Sequence, residues 1–306
     1  MKVTIHEVGP RDGLQNESQI LTTDTKLAFI ESLVAGGLTD IEVTSFVRPR
    51  WVPQLADAVE LVKRLPDAPG VTWWALVPNR IGMERALEAG IPAVATFMSS
   101  SETHNKKNIN RTIRESLAVQ REVIATSVAE GLRVRAYLST VFGCPYEGDV
   151  NPERVLELCL ELLSAGAERI SLGDTTGMAN PMQVRHVLKT LQEGGISLEQ
   201  VALHMHDTRG AALANVLAGL DCGVRVFDAS VAGLGGCPYA PGASGNMATE
   251  DLVHVLDAMG WQTDADLEGV SRAGVYASRM LNKELPGRYH RYYLGSCGEQ
   301  TLQNVG

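Results

Sequence analysis

Stretches that read as strands and stretches that read as helices alternate along the chain, roughly 25 to 40 residues per pair. VTIHEVG (3–9) precedes the helical DTKLAFIESLVAGG (24–37), and DIEVTSF (40–46) precedes a helix near 53–65. VTWWALV (71–77) leads to a helix near 80–89, AVATFMS (93–99) to a long one near 112–130, and RVRAYLSTVF (133–142) to 152–165. ERISLGD (168–174) leads to 181–193, VALHMHD (201–207) to 210–222, and VRVFDASVAG (224–233) to 249–259. The strand segments are apolar almost throughout, as a sheet covered on both faces requires. Glycines at 36–37, 90, 131 and 166 punctuate helix ends, and Pro53, Pro152 and Pro181 sit where helices start.

Eight such pairs match an α/β fold, the (β/α)8 TIM barrel. An open doubly wound sheet is the structural alternative, but no glycine-rich GxGxxG turn follows the first strand. Residues 1–263 are expected to form the barrel. Residues 264–306, a helix at 266–284 and a polar, Tyr-rich tail (RYHRYY), are expected to cap it.

Composition narrows the picture only slightly. A chain of 306 residues with 44% hydrophobic content can bury a large core. No run of about 18 apolar residues is present, so no membrane span is expected. The opening residues lack the layout of a signal or transit peptide. Five cysteines without a CxxC spacing argue against a disulfide framework or zinc ribbon, and fit a reducing cytoplasm. The net charge of −9 argues against nucleic acid and anionic membranes as partners. It leaves room for an anionic small ligand at a local basic cluster.

In such a barrel, chemistry belongs at the carboxyl ends of the strands. Arg11 and Asp12 end the first predicted strand; Glu42 and Ser45 lie on the second, Asp174 on the sixth, and His204, His206 and Asp207 on the seventh. Cys237 and Asn246 fall in the glycine-rich loop after the eighth. His204 and His206, two apart on one strand, face the same side. With Asp12 they offer nitrogen and oxygen donors to one divalent cation, and Asn246 would be a fourth donor. Such a set without thiolate suits Mg2+ or Mn2+. The plainer alternative is a hydrogen-bonded pair of core histidines. Asp207 points the other way and reads as a cap for the next helix. Arg11 would bind a carboxylate or an enolate oxygen, or else form a structural ion pair with Glu42; the two roles are compatible. His186 and His254 read as helix-surface residues.

VGPRDGLQNE (8–17), TSFVRPRWVPQ (44–54), KKNIN (106–110), GCPYEG (143–148), SLGDT (171–175), HMHDT (204–208) and SVAGLGGCPYAPGASGNMATED (230–251) together resemble the 3-hydroxy-3-methylglutaryl-CoA lyase family. The RDG and HxHDT motifs occur in a wider group of metal-dependent barrels; the last and longest run is far more specific. The resemblance implies a homodimer or higher homo-oligomer that takes a small acyl-CoA substrate. It implies a metal held by Asp12, His204, His206 and Asn246, a substrate-binding and enolate-stabilising Arg11, and a catalytic thiol at Cys237 on a mobile loop. It makes Glu42, Asp174 and Asp251 acidic residues that orient others. The implied reaction is retro-Claisen cleavage of 3-hydroxy-3-methylglutaryl-CoA to acetyl-CoA and acetoacetate, with His204 or Asp12 as base. Cys144, in the first GCPY, reads as a packing thiol. Lys106 and Lys107, in a loop after the fourth strand, are candidates for the CoA phosphates, with Arg135 behind them. Met98, Ser99 and Ser100 could reshape the pocket, so a citramalyl-CoA lyase or a lyase for a longer-branched 3-hydroxyglutaryl-CoA is the nearest alternative. An aldol-type synthase and a catalytically silent metal-binding barrel are the more distant ones.

Overall fold

In the computed structural model, which describes residues 2–237 and 240–296, eight parallel strands close into a barrel in chain order. They are β1 (Thr4–Glu7), β2 (Asp40–Ser45), β3 (Thr72–Leu76), β4 (Ala93–Ser99), β5 (Arg133–Ser139), β6 (Arg169–Asp174), β7 (Val201–Met205) and β8 (Val226–Ala229). β1 pairs with both β2 and β8, which completes the closure expected from the alternating pattern. The helices on the outside are α1 (Thr23–Ala35), α2 (Ala58–Lys63), α3 (Arg80–Ala89), α4 (Glu102–Ile109), α5 (Ile113–Ala129) and α6 (Pro152–Ser164), followed by α7 (Pro181–Glu193), α8 (Ala212–Cys222) and α9 (Thr249–Ala258). A two-stranded ribbon, β9 (Gly236–Cys237) and β10 (Ala240–Ser244), rises from the mouth after β8. No helix among the described residues is long and apolar enough to cross a membrane.

Local chemistry explains most helix starts. Thr112 caps α5 and Asn180 caps α7, each in a reciprocal capping box with Glu115 and Gln183, while Pro152 and Pro181 occupy first-turn positions. Gly37 shows why glycine ends α1: its φ is 83°, and a Cβ there would lie 2.2 Å from the Asp264 carbonyl oxygen.

Three expectations needed correction. The helix expected over 53–65 is a short turn, Pro53–Leu55, followed by α2. The Lys26 ammonium takes the Gln54 carbonyl and the Asp57 carboxylate (2.6 Å), and so uses up an acceptor that a continuous helix would need. The segment carrying Lys106 and Lys107 is helix α4, not a loop. Its sequence, ETHNKKNI, is polar all round, and tertiary contacts hold it: Asn105 accepts from Ser99 N (3.0 Å) and donates to Arg111 O, Thr112 O and Ser116 Oγ. The Tyr-rich tail forms α11 (Arg288–Ser296), with His290 buried and its Nε2 2.9 Å from Ser278 Oγ.

The predicted helix at 266–284 is α10 (Leu267–Leu281), which packs against α1, α9 and the turn Val231–Gly233. Its start meets Gly36 at the amino-terminal end of the barrel, and Lys283 just beyond it pairs with Glu17 (2.8 Å) at the other end. α10 therefore runs along the flank beside α1, and α11 lies near the mouth against α9.

Candidate active site

β1 stops at Glu7, so Arg11 and Asp12 are not on the strand itself. They lie in a tight π-type turn, Gly9–Gly13, in which the amides of Arg11, Asp12 and Gly13 all donate to the Val8 carbonyl (3.1, 2.7 and 3.2 Å). The turn points both side chains across the mouth. The Arg11 guanidinium donates to Glu42 Oε1 through Nε and to Asp12 Oδ1 through Nη1 (2.5 Å). Glu42 is fully buried on β2, and its other oxygen accepts from Tyr137 Oη (2.9 Å). The structural ion pair therefore exists, and it aims Arg11 between two carboxylates, with its guanidinium carbon 5.4 Å from the centroid of the Tyr137 ring.

Asp12 also accepts from Gln15 Nε2 (2.9 Å) and Asn246 Nδ2 (2.9 Å). Burial opposes its charge, but Arg11, His204, His206 and the Asn246 hydrogen bond prevail and hold its pKa at about 2. His204 lies on β7 and His206 just beyond it. Their Nε2 atoms are 3.2 Å apart, and His204 Nε2 is 4.0 Å from Asp12 Oδ2. Burial, and secondarily His204, lowers the His206 pKa to about 4, so its imidazole is neutral at ordinary pH.

Ligand atoms of Asp12, His204 and His206 all lie within 4.8 Å of one another. The donor set fits a divalent cation on two counts. Two nitrogens 3.2 Å apart match neighbouring corners of an octahedron with metal–ligand bonds of about 2.1 Å. Moreover, Asn246 Oδ1 is buried without a hydrogen-bond partner among the described residues, an uncommon state for such an atom.

Asn246 reaches Asp12 because the base of the ribbon is pinned. His206 and Asn246 form a bridge, Asp207 N donates to Gly245 O (2.6 Å), and Gly245 N donates to Gly235 O (3.2 Å). Gly235 has φ 115°, and a Cβ there would sit 2.7 Å from Asn246 Nδ2. Cys237 lies in β9 on this ribbon, but its side chain is outside the described residues.

Other sequence candidates fall elsewhere. Asp174 ends β6, where Oδ1 accepts from Met178 N (2.8 Å) and Ala179 N (3.1 Å). Burial raises its pKa to about 6 against those bonds, and Oδ2 has no partner among the described residues. Asp251 is not beside the donor set: its carboxylate accepts from Arg288 N (3.1 Å) and Tyr289 N (2.5 Å) and so caps α11. Lys106 is exposed and paired with Glu102 (3.3 Å), and Lys107 lies over the Tyr146 ring (4.8 Å). Arg135 is withdrawn as a phosphate ligand, because it is buried inside the barrel on Asp228 (2.7 Å). Met98 faces the outer core, while Leu76, Ala95 and Tyr137 with Phe97 form a separate apolar cluster near Arg11. Cys144 is buried as expected, with Sγ 2.9 Å from Ser101 Oγ. Asp207 Oδ1 accepts from Ala212 N (3.1 Å), which bears out its reading as a cap for α8.

The sequence reading passed over Asp228, Tyr137 and Glu7. Asp228 and Tyr137 had a visible signal, a polar or phenolic group at an inward position of a strand, whereas Glu7 alternates with the inward His6 and points toward α9. Glu7 is buried and accepts from Gly9 N (2.9 Å), Val231 N (2.9 Å) and Thr249 Oγ1 (2.6 Å), tying the turn that carries Arg11 and Asp12 to the turn below the ribbon. Burial lifts its pKa to about 7 against those three bonds. The folded chain thus keeps a proton that the unfolded chain releases from its ordinary carboxylate pKa upward. Stability from this group is full at low pH, declines as pH rises toward 7, and stays lost above it. Glu7→Gln removes that dependence. Calorimetry at pH 5.5 and 8.5 should show the difference in Tm between the two conditions shrinking by several degrees; an unchanged gap would contradict the assignment.

A closed parallel barrel with a carboxylate and two imidazoles converging at its carboxyl end defines a metal-site TIM-barrel protein. Residues 2–275 match the family described as HMGL-like. The chain is 51% identical over 94% of its length to hydroxymethylglutaryl-CoA lyase YngG of Bacillus subtilis, covering 96% of that protein. It is 48% identical over 92% of its length to the mitochondrial hydroxymethylglutaryl-CoA lyase of Bos taurus, covering 86% of it. The crystal structure of the B. subtilis HMG-CoA lyase superposes with a TM-score of 0.94 at 50% identity, over 96% of this chain and 98% of that one. An HMG-CoA lyase from Acinetobacter baumannii, solved with coenzyme A and 3-methylmalate, gives 0.89 at 38% identity over 98% and 96%. The chain belongs to the HMG-CoA lyase family.

Proposed function

We propose that this protein cleaves 3-hydroxy-3-methylglutaryl-CoA to acetyl-CoA and acetoacetate. The observation that carries the reading is the convergence of Asp12, His204 and His206 beside a buried Arg11, in a chain 51% identical to a hydroxymethylglutaryl-CoA lyase. A bound divalent cation, Mg2+ or Mn2+ on this nitrogen and oxygen donor set, supplies Lewis acidity to the tertiary hydroxyl. Asp12, His204 and His206 would hold it, with Asn246 as a further donor.

The protein's own groups do the rest. Arg11, clamped by Glu42 and Asp12, presents a fixed positive charge to the oxygen that becomes an enolate. Its geometry is set before substrate arrives, so little reorganisation is needed at the reacting centre. Asp12 and His204 are the two candidate bases for the hydroxyl proton; Arg11, Gln15 and Asn246 donate to the Asp12 oxygens, and Asp228 faces His204 Nδ1. Leu76, Phe97 and Tyr137 offer an apolar wall for the branch methyl. Cys237 then delivers a proton to the enolate carbon, and closure of its loop over the pocket keeps water out. Lys106 and Lys107 remain candidates for the CoA phosphates, now on the exposed side of α4. The acidic net charge and the absence of a disulfide pattern in the sequence support a cytoplasmic site of action.

The test is a panel of 3-hydroxyacyl-CoA thioesters incubated with purified protein and Mg2+. Release of acetyl-CoA and acetoacetate from the methylglutaryl thioester is expected. Cleavage of citramalyl-CoA alone, with release of pyruvate, would overturn the assignment.

A further inference from the structure

Beneath the donor set, inside the barrel, Asp228 sits between β1 and β7. It is paired in register with His6 on one side and His204 on the other. It is 2% exposed, and its two oxygens have separate partners. Oδ1 accepts from Arg135 (2.7 Å), while Oδ2 accepts from Ser171 Oγ (2.7 Å) and lies 3.2 Å from His204 Nδ1. A carboxylate paired with a buried guanidinium is an acceptor only. The His204 nitrogen facing it must therefore carry the proton, which leaves a lone pair on Nε2.

The neighbouring atoms agree with that arrangement. His204 Nε2 is 3.2 Å from His206 Nε2, and two facing nitrogens at that distance need one proton between them. In the metal-free chain, with His204 Nε2 the acceptor, His206 Nε2 is the donor and His206 Nδ1 keeps a lone pair; a cation taking His206 Nε2 would send that proton to Nδ1. His206 Nδ1 is indeed the buried atom without a partner among the described residues.

We infer that Asp228 is a positioning residue: through Oδ2 it fixes His204 with its proton on Nδ1, so that Nε2 offers its lone pair to the cation shared with Asp12 and His206. Arg135 holds Asp228 in place from the opposite wall of the barrel, and Ser171 is a second donor to the shared oxygen. The inference rests on the cation site of the proposed function, and it assigns a role to a carboxylate that touches neither cation nor substrate. Partners of this kind commonly alter metal affinity by 10–100-fold.

Asp228→Asn tests it. The amide oxygen can still accept from Arg135, but the amide NH2 would then face His204 Nδ1 and force the ring proton to Nε2. Two readouts apply, neither of them activity. Long-range 1H–15N spectra of the metal-free, histidine-labelled protein, with His204 assigned by its loss in His204→Asn, should show the proton moving from Nδ1 to Nε2. Mn2+ titration followed by electron paramagnetic resonance should show Kd raised at least about tenfold. Ser171→Ala, which removes the other contact of the same oxygen, should leave Mn2+ Kd within about twofold, because the carboxylate still accepts from His204 Nδ1. Equal losses in both variants would reveal a merely structural role and overturn the inference, as would an unchanged tautomer or unchanged Kd in folded Asp228→Asn. Should Asp228→Asn fail to fold because Arg135 is left unpaired, the double variant Arg135→Gln/Asp228→Asn removes that buried charge and is read in the same way. A wild-type protein that does not bind Mn2+ would count against the cation site itself. The tautomer spectra would still decide the role of Asp228.

Discussion

Asp12→Asn is expected to lower kcat/KM by roughly 10³-fold or more and to weaken Mn2+ binding in parallel. The expectation follows from how many tasks one carboxylate performs. Asp12 offers the only oxygen in the Asp12, His204, His206 cluster, neutralises one side of the Arg11 guanidinium, and accepts from Gln15 and Asn246. Asparagine preserves the shape and removes the charge. Arg11 then leans on Glu42 alone, and one of the amide's two positions faces donors it cannot accept from. Because Asp12 is held at a pKa of about 2, wild-type enzyme should show no loss of activity from protonation of this group above about pH 4. Steady-state kinetics with Mn2+ titration would check both parts. A variant that keeps more than about a tenth of wild-type kcat/KM would remove Asp12 from the centre of the mechanism.

The second large effect divides two cysteines that share the tetrapeptide GCPY. Cys237→Ala should reduce turnover by roughly 10²–10⁴-fold, the usual worth of a positioned proton donor, with little change in KM. Cys144→Ala should stay within a few-fold of wild type. The structure supplies the contrast through the surroundings. Cys144 is 1% exposed, receives the Tyr146 amide (3.4 Å) and lies against Ser101 Oγ, so its sulfur packs the loop after β5. Cys237 is in a ribbon whose base is fixed to the end of β7 through Asp207, Gly245 and Asn246, at the rim of the donor set. Parallel measurement of kcat for the two variants decides the matter; equal losses would erase the division.

The barrel was legible because its information is local. Apolar runs of strand length, helices of 3.6-residue period, prolines at first turns and glycines after last turns repeat around the ring, and β4, α3 and α7 fall at the expected residues. The errors have a common cause. α4 has no apolar face of its own and exists because Asn105 ties it to Ser99, Arg111, Thr112 and Ser116. α2 is shortened by an ammonium from α1. Arg135 read as a weaker candidate for the CoA phosphates because nothing in its flanking residues announces an Asp228 ninety-three positions away.

The site divides in the same way. His204 and His206 could be paired from sequence, because a two-residue spacing on a strand puts side chains on one face whatever the fold. That Asp12 meets them, that Arg11 is held by Glu42, and that Asp251 instead caps α11 were decided by closure of the ring, which brings β1 beside β8 and sets β7 across the mouth from β2. The chain by itself thus determined the type and order of the elements and which residue chemistries stand at their ends. Only the tertiary structure decided which of those groups face one another. Pairing of charges inside a barrel depends on distances between residues far apart in sequence, and a one-dimensional pattern carries no term for distance.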